Sequence, residues 1–184
     1  MIKPLTLSAI FAATACTAWA GTTETYDFSG FDELDISAGV EVIYEASNNF
    51  SVVADFSRGG PDDMKIRQDG DRLYISRKIK SGWGDKLRVT VRVTSPELNA
   101  IEASSGSSIE ATGISADDFD LKVSSGASAE LSGTCGNLDL KVSSGGRADA
   151  KDLHCRTLTA TAGSGGSADA YASESAKGKT SSGG

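Results

Sequence analysis

The chain has 184 residues, a formal charge of −7, three cysteines and a single histidine. That length suits one domain, and the acidic balance argues against nucleic acid as a partner. So few cysteines and histidines do not furnish an ordinary four-ligand zinc site, and neither a metal nor another cofactor is expected.

Residues 1–20 hold Lys3, an apolar run from Leu5 to about Ala15, and the small-x-small triplet Ala18-Trp19-Ala20. This pattern predicts a secretory signal peptide cleaved before Gly21. The run is too short to span a bilayer as a helix, and no transmembrane segment follows it. Lipidation at Cys16 is the alternative, although Ala13 stands where such sites favour a larger aliphatic residue. Both routes lead to the periplasm or the cell surface, an oxidising compartment. Residues 21–184 are expected to form a single domain.

The first extended element is Phe31-Asp-Glu-Leu-Asp-Ile, followed by the small turn Ser37-Ala38-Gly39 and by Val40-Glu-Val-Ile43. Strand patterns continue at Phe50–Phe56, Met64–Gln68, Arg72–Lys78 and Lys86–Thr94. Turn signals separate them at Asn48-Asn49, Gly59-Gly60-Pro61 and Asp69-Gly70-Asp71. Most aromatic residues lie in this half, which predicts a cap of large side chains over one end of the molecule. Between Lys65 and Arg92 stand nine Lys or Arg against three Asp, a local charge of +6 in an acidic chain. A binding surface is expected there, carried by Arg67, Arg77, Lys78, Lys80, Trp83, Lys86 and Arg88. Cations around an accessible tryptophan suit anionic glycan or an envelope surface. The same alternation would also describe solvated strand faces with Trp83 folded inward.

From about residue 98 the chain becomes periodic. Ser104-Ser105-Gly106, Ser124-Ser125-Gly126, Ser143-Ser144-Gly145, Gly163-Ser164-Gly165 and Ser181-Ser182-Gly183 place their glycines 20, 19, 20 and 18 residues apart. Apolar and polar residues alternate on both sides of each turn, as in Phe119-Asp-Leu-Lys-Val123 and Leu138-Asp-Leu-Lys-Val142. Units this small must stack on their neighbours to bury a core. The expected fold is all-β: a right-handed parallel β-helix with coils of about 20 residues, each of two or three short strands, behind a less regular β-rich N-terminal part. An antiparallel meander of 10-residue strands is the rival. Inward alanines (Ala160, Ala162, Ala168, Ala170) accumulate toward the C-terminus, so the core should narrow there. Cys135 and Cys155 occupy the same place in consecutive repeats. Stacking would bring their Cα atoms about one strand spacing apart, so a disulfide is predicted. The chain stops at Gly184 inside a repeat, which points either to a fragment or to a last strand covered by another surface, end-to-end or side-by-side self-association included.

Motifs for catalysis are weak. Gly163-Ser-Gly-Gly-Ser-Ala168 matches a dinucleotide fingerprint but falls on the turn register with no helix after it. Gly178-Lys-Thr180 lacks the upstream glycine of a phosphate loop, where Ser173 stands. His154, near Asp152, has no serine in a strained elbow to activate and is expected to face solvent beside the disulfide. The acidic positions Asp120 and Asp139, and Glu110, Glu130, Asp149 and Asp169, would line up on the outer face. Paired carboxylates can cleave glycosides, so a polysaccharide-active enzyme is the alternative to a binding protein.

Three stretches resemble a known family: Phe31 to Val42, the junction Val91-Arg-Val-Thr-Ser-Pro-Glu-Leu-Asn-Ala-Ile-Glu-Ala-Ser-Ser-Gly106, and the repeats that follow. They are similar to the auto-transporter adhesin head GIN domain of bacterial envelope proteins, over nearly all of residues 26–184. The resemblance implies a right-handed β-helix, an envelope or surface location and no catalytic residues. The expected function is therefore a non-catalytic exported module that binds or builds the envelope, with envelope glycan or another surface protein as partner.

Overall fold

The computed structural model describes residues 21–78 and 87–184. The expected leader (1–20), with Cys16, and the candidates Lys80, Trp83 and Lys86 lie outside the described residues.

Among the described residues the chain forms twelve strands and one 3₁₀ turn, Pro61–Asp63. The strands are β1 (Thr22–Tyr26), β2 (Glu33–Ile36), β3 (Glu41–Ala46), β4 (Ser51–Arg58), β5 (Met64–Asp69) and β6 (Arg72–Arg77). There follow β7 (Arg88–Ser95), β8 (Ala100–Ala103), β9 (Ser108–Val123), β10 (Ser128–Val142), β11 (Arg147–Gly163) and β12 (Ser167–Ser181). The four strand patterns read between residues 50 and 94 correspond to β4, β5, β6 and β7. Alternation built them: in β7, Val89, Val91 and Val93 are buried while Arg88 and Arg92 face outward.

The expected right-handed parallel β-helix is not what these strands make. All twelve join one sheet, mixed in direction and curled into an open half-barrel. Two observations overturn the expectation. First, the two or three short strands per coil are absent: β9, β10, β11 and β12 each run 15 to 17 residues from one tight turn to the next. Second, β1 and β4, β4 and β7, and β5 and β6 pair antiparallel within that same sheet. The physical reason lies at two glycines inside the long strands. Gly113 (φ +76°) and Gly133 (φ +138°) bend their strands without ending them. A Cβ on Gly133 would stand 2.2 Å from the Ile114 carbonyl oxygen of the next strand, so only glycine lets the backbones pass this closely.

Repeats nevertheless lie on one another in register. Leu121 pairs with Leu140, and Val123 with Val142, all fully or almost fully buried. Each turn carries positive φ on both central residues, as at Ser125 (+52°) and Gly126 (+74°), and closes with Ala127 N–H donating to the Ser124 carbonyl at 3.0 Å. That is the pattern of the tight turns whose twist suits strands. The turns also bond to each other, Gly106 N–H to Ser125 O and Gly126 N–H to Ser144 O, both at 3.1 Å. Cys135 and Cys155 face each other between β10 and β11, and a disulfide joins them with Cα atoms 4.4 Å apart.

The largest fully buried side chains include Tyr44, Phe31, Phe119 and the leucines Leu34, Leu73, Leu98, Leu121 and Leu131. The core thins toward the C-terminus: Leu158 and Ala160 on β11 are half-buried, and Ala168, Ala176 and Gly178 on β12 are exposed. The aromatic residues do not gather into one cap. Phe31, Tyr44 and Phe56 are buried, whereas Tyr74 faces outward beneath Arg67, whose guanidinium lies 3.6 Å from the ring centre.

Candidate binding surfaces

The turn between β4 and β5 organises the cationic end of the sheet. Gly59 adopts φ +85°, and a Cβ there would collide with Leu87 and with the Asp63 carboxylate. Gly60 N–H donates to Asp63 Oδ2 at 3.2 Å, and Lys78 N–H donates to the Asp63 carbonyl at 2.7 Å. The turn therefore touches both flanks of segment 79–86, Lys78 on one side and Leu87 on the other. It brings Arg58 into the same neighbourhood.

Arg58 is the functional candidate that sequence reasoning missed. In Val52-Val-Ala-Asp-Phe56-Ser-Arg58, strict alternation assigns Arg58 to the buried side with Val52, Ala54 and Phe56. A bulge between Phe56 and Arg58 reverses that parity and sets Arg58 directly opposite Arg88 across the β4–β7 pair. Both side chains are exposed, and the Ser57 hydroxyl donates to the Arg88 carbonyl at 3.4 Å. Like charges directly opposite each other destabilise a sheet. Among the described residues neither arginine has a carboxylate partner.

The other sequence candidates are dispersed. Arg67 stacks on Tyr74 and lies 3.9 Å from Asp69. Arg77 is half-buried, with its guanidinium against Gly39 in the first turn. Lys78 is exposed next to the 59–63 turn. Of the wider basic run, Arg72 pairs with Glu33 at 2.6 Å and Arg92 with Asp55. The structure thus sets Arg58 opposite Arg88, holds the Lys78 backbone against the 59–63 turn, and engages Arg67, Arg72 and Arg92 in contacts within the chain. Asp62 and Asp63 share this end of the molecule.

Beside the Arg58–Arg88 pair, the outward face of β1, β4 and β7 forms an open groove of about 620 Å³. Thr23, Asp55, Ser57, Thr90 and Arg92 line it. Thr23 donates to Asp55 Oδ1 at 2.8 Å, and Arg92 grips the other carboxylate oxygen. Thr90 donates to Glu41 at 3.2 Å. Fixed hydroxyls and a neutralised carboxylate can exchange hydrogen bonds with a polyhydroxylated ligand.

The carboxylate columns do stack. Asp120 pairs with Asp139, and Glu110, Glu130, Asp149 and Asp169 follow one another across β9 to β12. Lysines engage two of them. Lys141 Nζ lies 3.0 Å from Asp139, and Lys151 Nζ 2.6 Å from Asp149. The Lys151 hydrogen bond holds the Asp149 carboxyl below its ordinary value, away from the raised value a general acid needs. His154 is exposed, edge-on to Tyr171 at 4.9 Å between ring centres, and no serine donates to it among the described residues. No cluster of His, Cys, Asp and Glu able to hold a metal ion occurs among the described residues, and none of their helices is long and apolar enough to cross a membrane.

A family model described as "Putative auto-transporter adhesin, head GIN domain" matches residues 30–184. No curated protein matches the chain significantly. Among solved structures, the chain is similar to a protein from Bacteroides fragilis NCTC 9343 described as "a putative adhesin". The identity is 16% with a TM-score of 0.63, over 89% of this chain and 96% of that one. It is also similar to "a putative adhesin" from Parabacteroides merdae ATCC 43184, at 12% identity and a TM-score of 0.52, over 88% and 95% of the two chains. At such identities the likeness is one of fold.

Proposed function

We infer a role from one premise: the chain belongs to the auto-transporter adhesin head GIN domain family. The family suggests a surface or envelope location and an adhesin-like, non-enzymatic role. The finer reading is an exported module, residues 21–184 after loss of a leader at 1–20, that binds anionic glycan of an envelope or cell surface. The observation that carries it is the Arg58–Arg88 opposition beside a groove lined with hydroxyl groups. An acidic sugar fits both parts, its carboxylate or phosphate between the arginines and its hydroxyls against Thr23, Ser57 and Thr90. The described residues Lys78 and Leu87 both touch the 59–63 turn, and the proposed contact surface takes in Lys80, Trp83 and Lys86 from the sequence between them. A tryptophan there would stack on a sugar ring.

A glycan panel tests this reading. Polygalacturonate and lipopolysaccharide are expected to bind and neutral dextran is not, with Trp83→Ala weakening the anionic ligands about tenfold, the loss of one buried aromatic contact. Release of new reducing ends from any of these polymers would instead make the protein an enzyme.

A further inference from the structure

The strand that walls one side of the groove begins where the sequence predicts a cut. Gly21 lines the groove and β1 starts at the next residue, Thr22. The small-x-small triplet Ala18-Trp19-Ala20 ends just before Gly21. β1 runs antiparallel to β4, with Thr23 opposite Asp55 and Thr22 opposite Phe56. The same count sets Gly21 level with Ser57, the residue before Arg58. A Cβ on Gly21 would stand 3.0 Å from the Phe56 carbonyl oxygen, so the two backbones touch there. The β4 bulge lies between Phe56 and Arg58 and turns Arg58 outward, opposite Arg88. Gly21 therefore reaches the groove at the end nearest the arginine pair.

The charge at that point depends on the covalent state of the chain. Before a cut, the Gly21 nitrogen belongs to a neutral amide. Hydrolysis of the Ala20–Gly21 bond consumes one water, leaves a carboxylate on the released leader and an amine on Gly21. That amine takes up a proton below its ordinary pKa of about 7.7–8.0. The charged groups around it are Arg58 on β4, Arg88 on β7, and Asp55, which Thr23 and Arg92 already hold. Glu24 lies farther along β1, opposite Ala54, and Asp62 and Asp63 belong to the turn beyond Arg58. Asp55 is the one carboxylate among the described residues that line the groove.

We propose that cutting the chain before Gly21 switches this site on: the new α-ammonium group becomes a third cation beside Arg58 and Arg88. The mature chain then binds anionic glycan, and the precursor binds it weakly. This rests on the glycan-binding reading of the same groove. Glycine suits the position, because its charge is carried by backbone paired to β4 and no side chain stands between it and a ligand.

The mass of the exported protein is measured first, and it is expected to show a chain that starts at Gly21. A mature chain that starts anywhere else, lipidated Cys16 included, overturns the proposal. Polygalacturonate is then titrated at roughly 50 mM salt against the mature chain and a variant with Ser-Gly-Ser inserted between Ala20 and Gly21. The insertion moves the ammonium group by about 10 Å, and a thermal melt confirms that the variant is folded. The variant is expected to bind about fivefold more weakly at roughly pH 6.5. The mature chain is expected to lose a similar factor between roughly pH 6.5 and 9, where the amine gives up its proton and the lysines and arginines keep theirs. Equal affinity of the two proteins, or a mature chain whose binding is flat in pH, overturns the proposal and leaves the glycan reading standing. Failure of the mature chain to bind at either pH overturns both.

Discussion

Serine 125 sits in left-handed backbone that serine does not favour, and the same is true of Ser105, Ser144, Ser164 and Ser182. The glycine that follows each of them announces the turn; the serine's conformation is imposed by the turn's two-residue geometry. Asparagine tolerates this conformation and β-branched residues do not. Ser125→Asn is therefore expected to stabilise the protein by about 0.5 kcal/mol, and Ser125→Val to destabilise it by roughly 1–2 kcal/mol, in urea unfolding. Asp35 carries a different strain. Burial raises its carboxyl above the ordinary value of 3.8, Glu102 pushes the same way, and Arg72 and Arg67 pull against them. A raised folded-state pKa means that ionisation opposes folding, so this cost is present above that pKa and relieved as the pH falls through it. Asp35→Asn is expected to raise the melting temperature at pH 7–8, with the gain fading on acidification and gone below the unfolded value near 3.8. A gain independent of pH would contradict this.

The strands show which layers of structure local pattern encodes. Alternation of apolar and polar residues marked β4 to β7 and the faces of β9 to β11, because it reports burial directly. The Ser-Ser-Gly spacing marked the turns, and through them the alignment that sets Cys135 beside Cys155. Local pattern did not mark Gly113 and Gly133, where the pairing shifts register without ending the strands. It was silent on the antiparallel pairing of β1, β4 and β5, since a strand's partner depends on residues far away in sequence. Arg58 shows the cost at the candidate site: one extra residue in β4 moved it from the expected interior to the outer face beside Arg88. The disulfide links equivalent points of β10 and β11 across 20 residues. Closing a loop of that length removes unfolded-state entropy, so replacing both cysteines by alanine is expected to cost about 2–3 kcal/mol. Chemical denaturation with and without the bond measures this; a loss under about 0.5 kcal/mol would mean that turn and strand stacking alone set the register.

At the scale of the molecule, the sheet has two unlike ends. One carries the short strands β1 and β5, the Arg58–Arg88 opposition and the hydroxyl-lined groove; the other, among the described residues, is formed by β12. The protein's net negative charge makes the local cationic patch the more informative feature, since the chain as a whole repels anions. A titration of polygalacturonate against the wild type and the Arg58→Glu/Arg88→Glu double variant, at roughly 50 and 500 mM salt, tests the account most directly. The account predicts binding by the wild type that weakens with salt, and binding by the double variant at least about tenfold weaker at low salt. Equal affinity of the two proteins, or wild-type binding indifferent to salt, would contradict it.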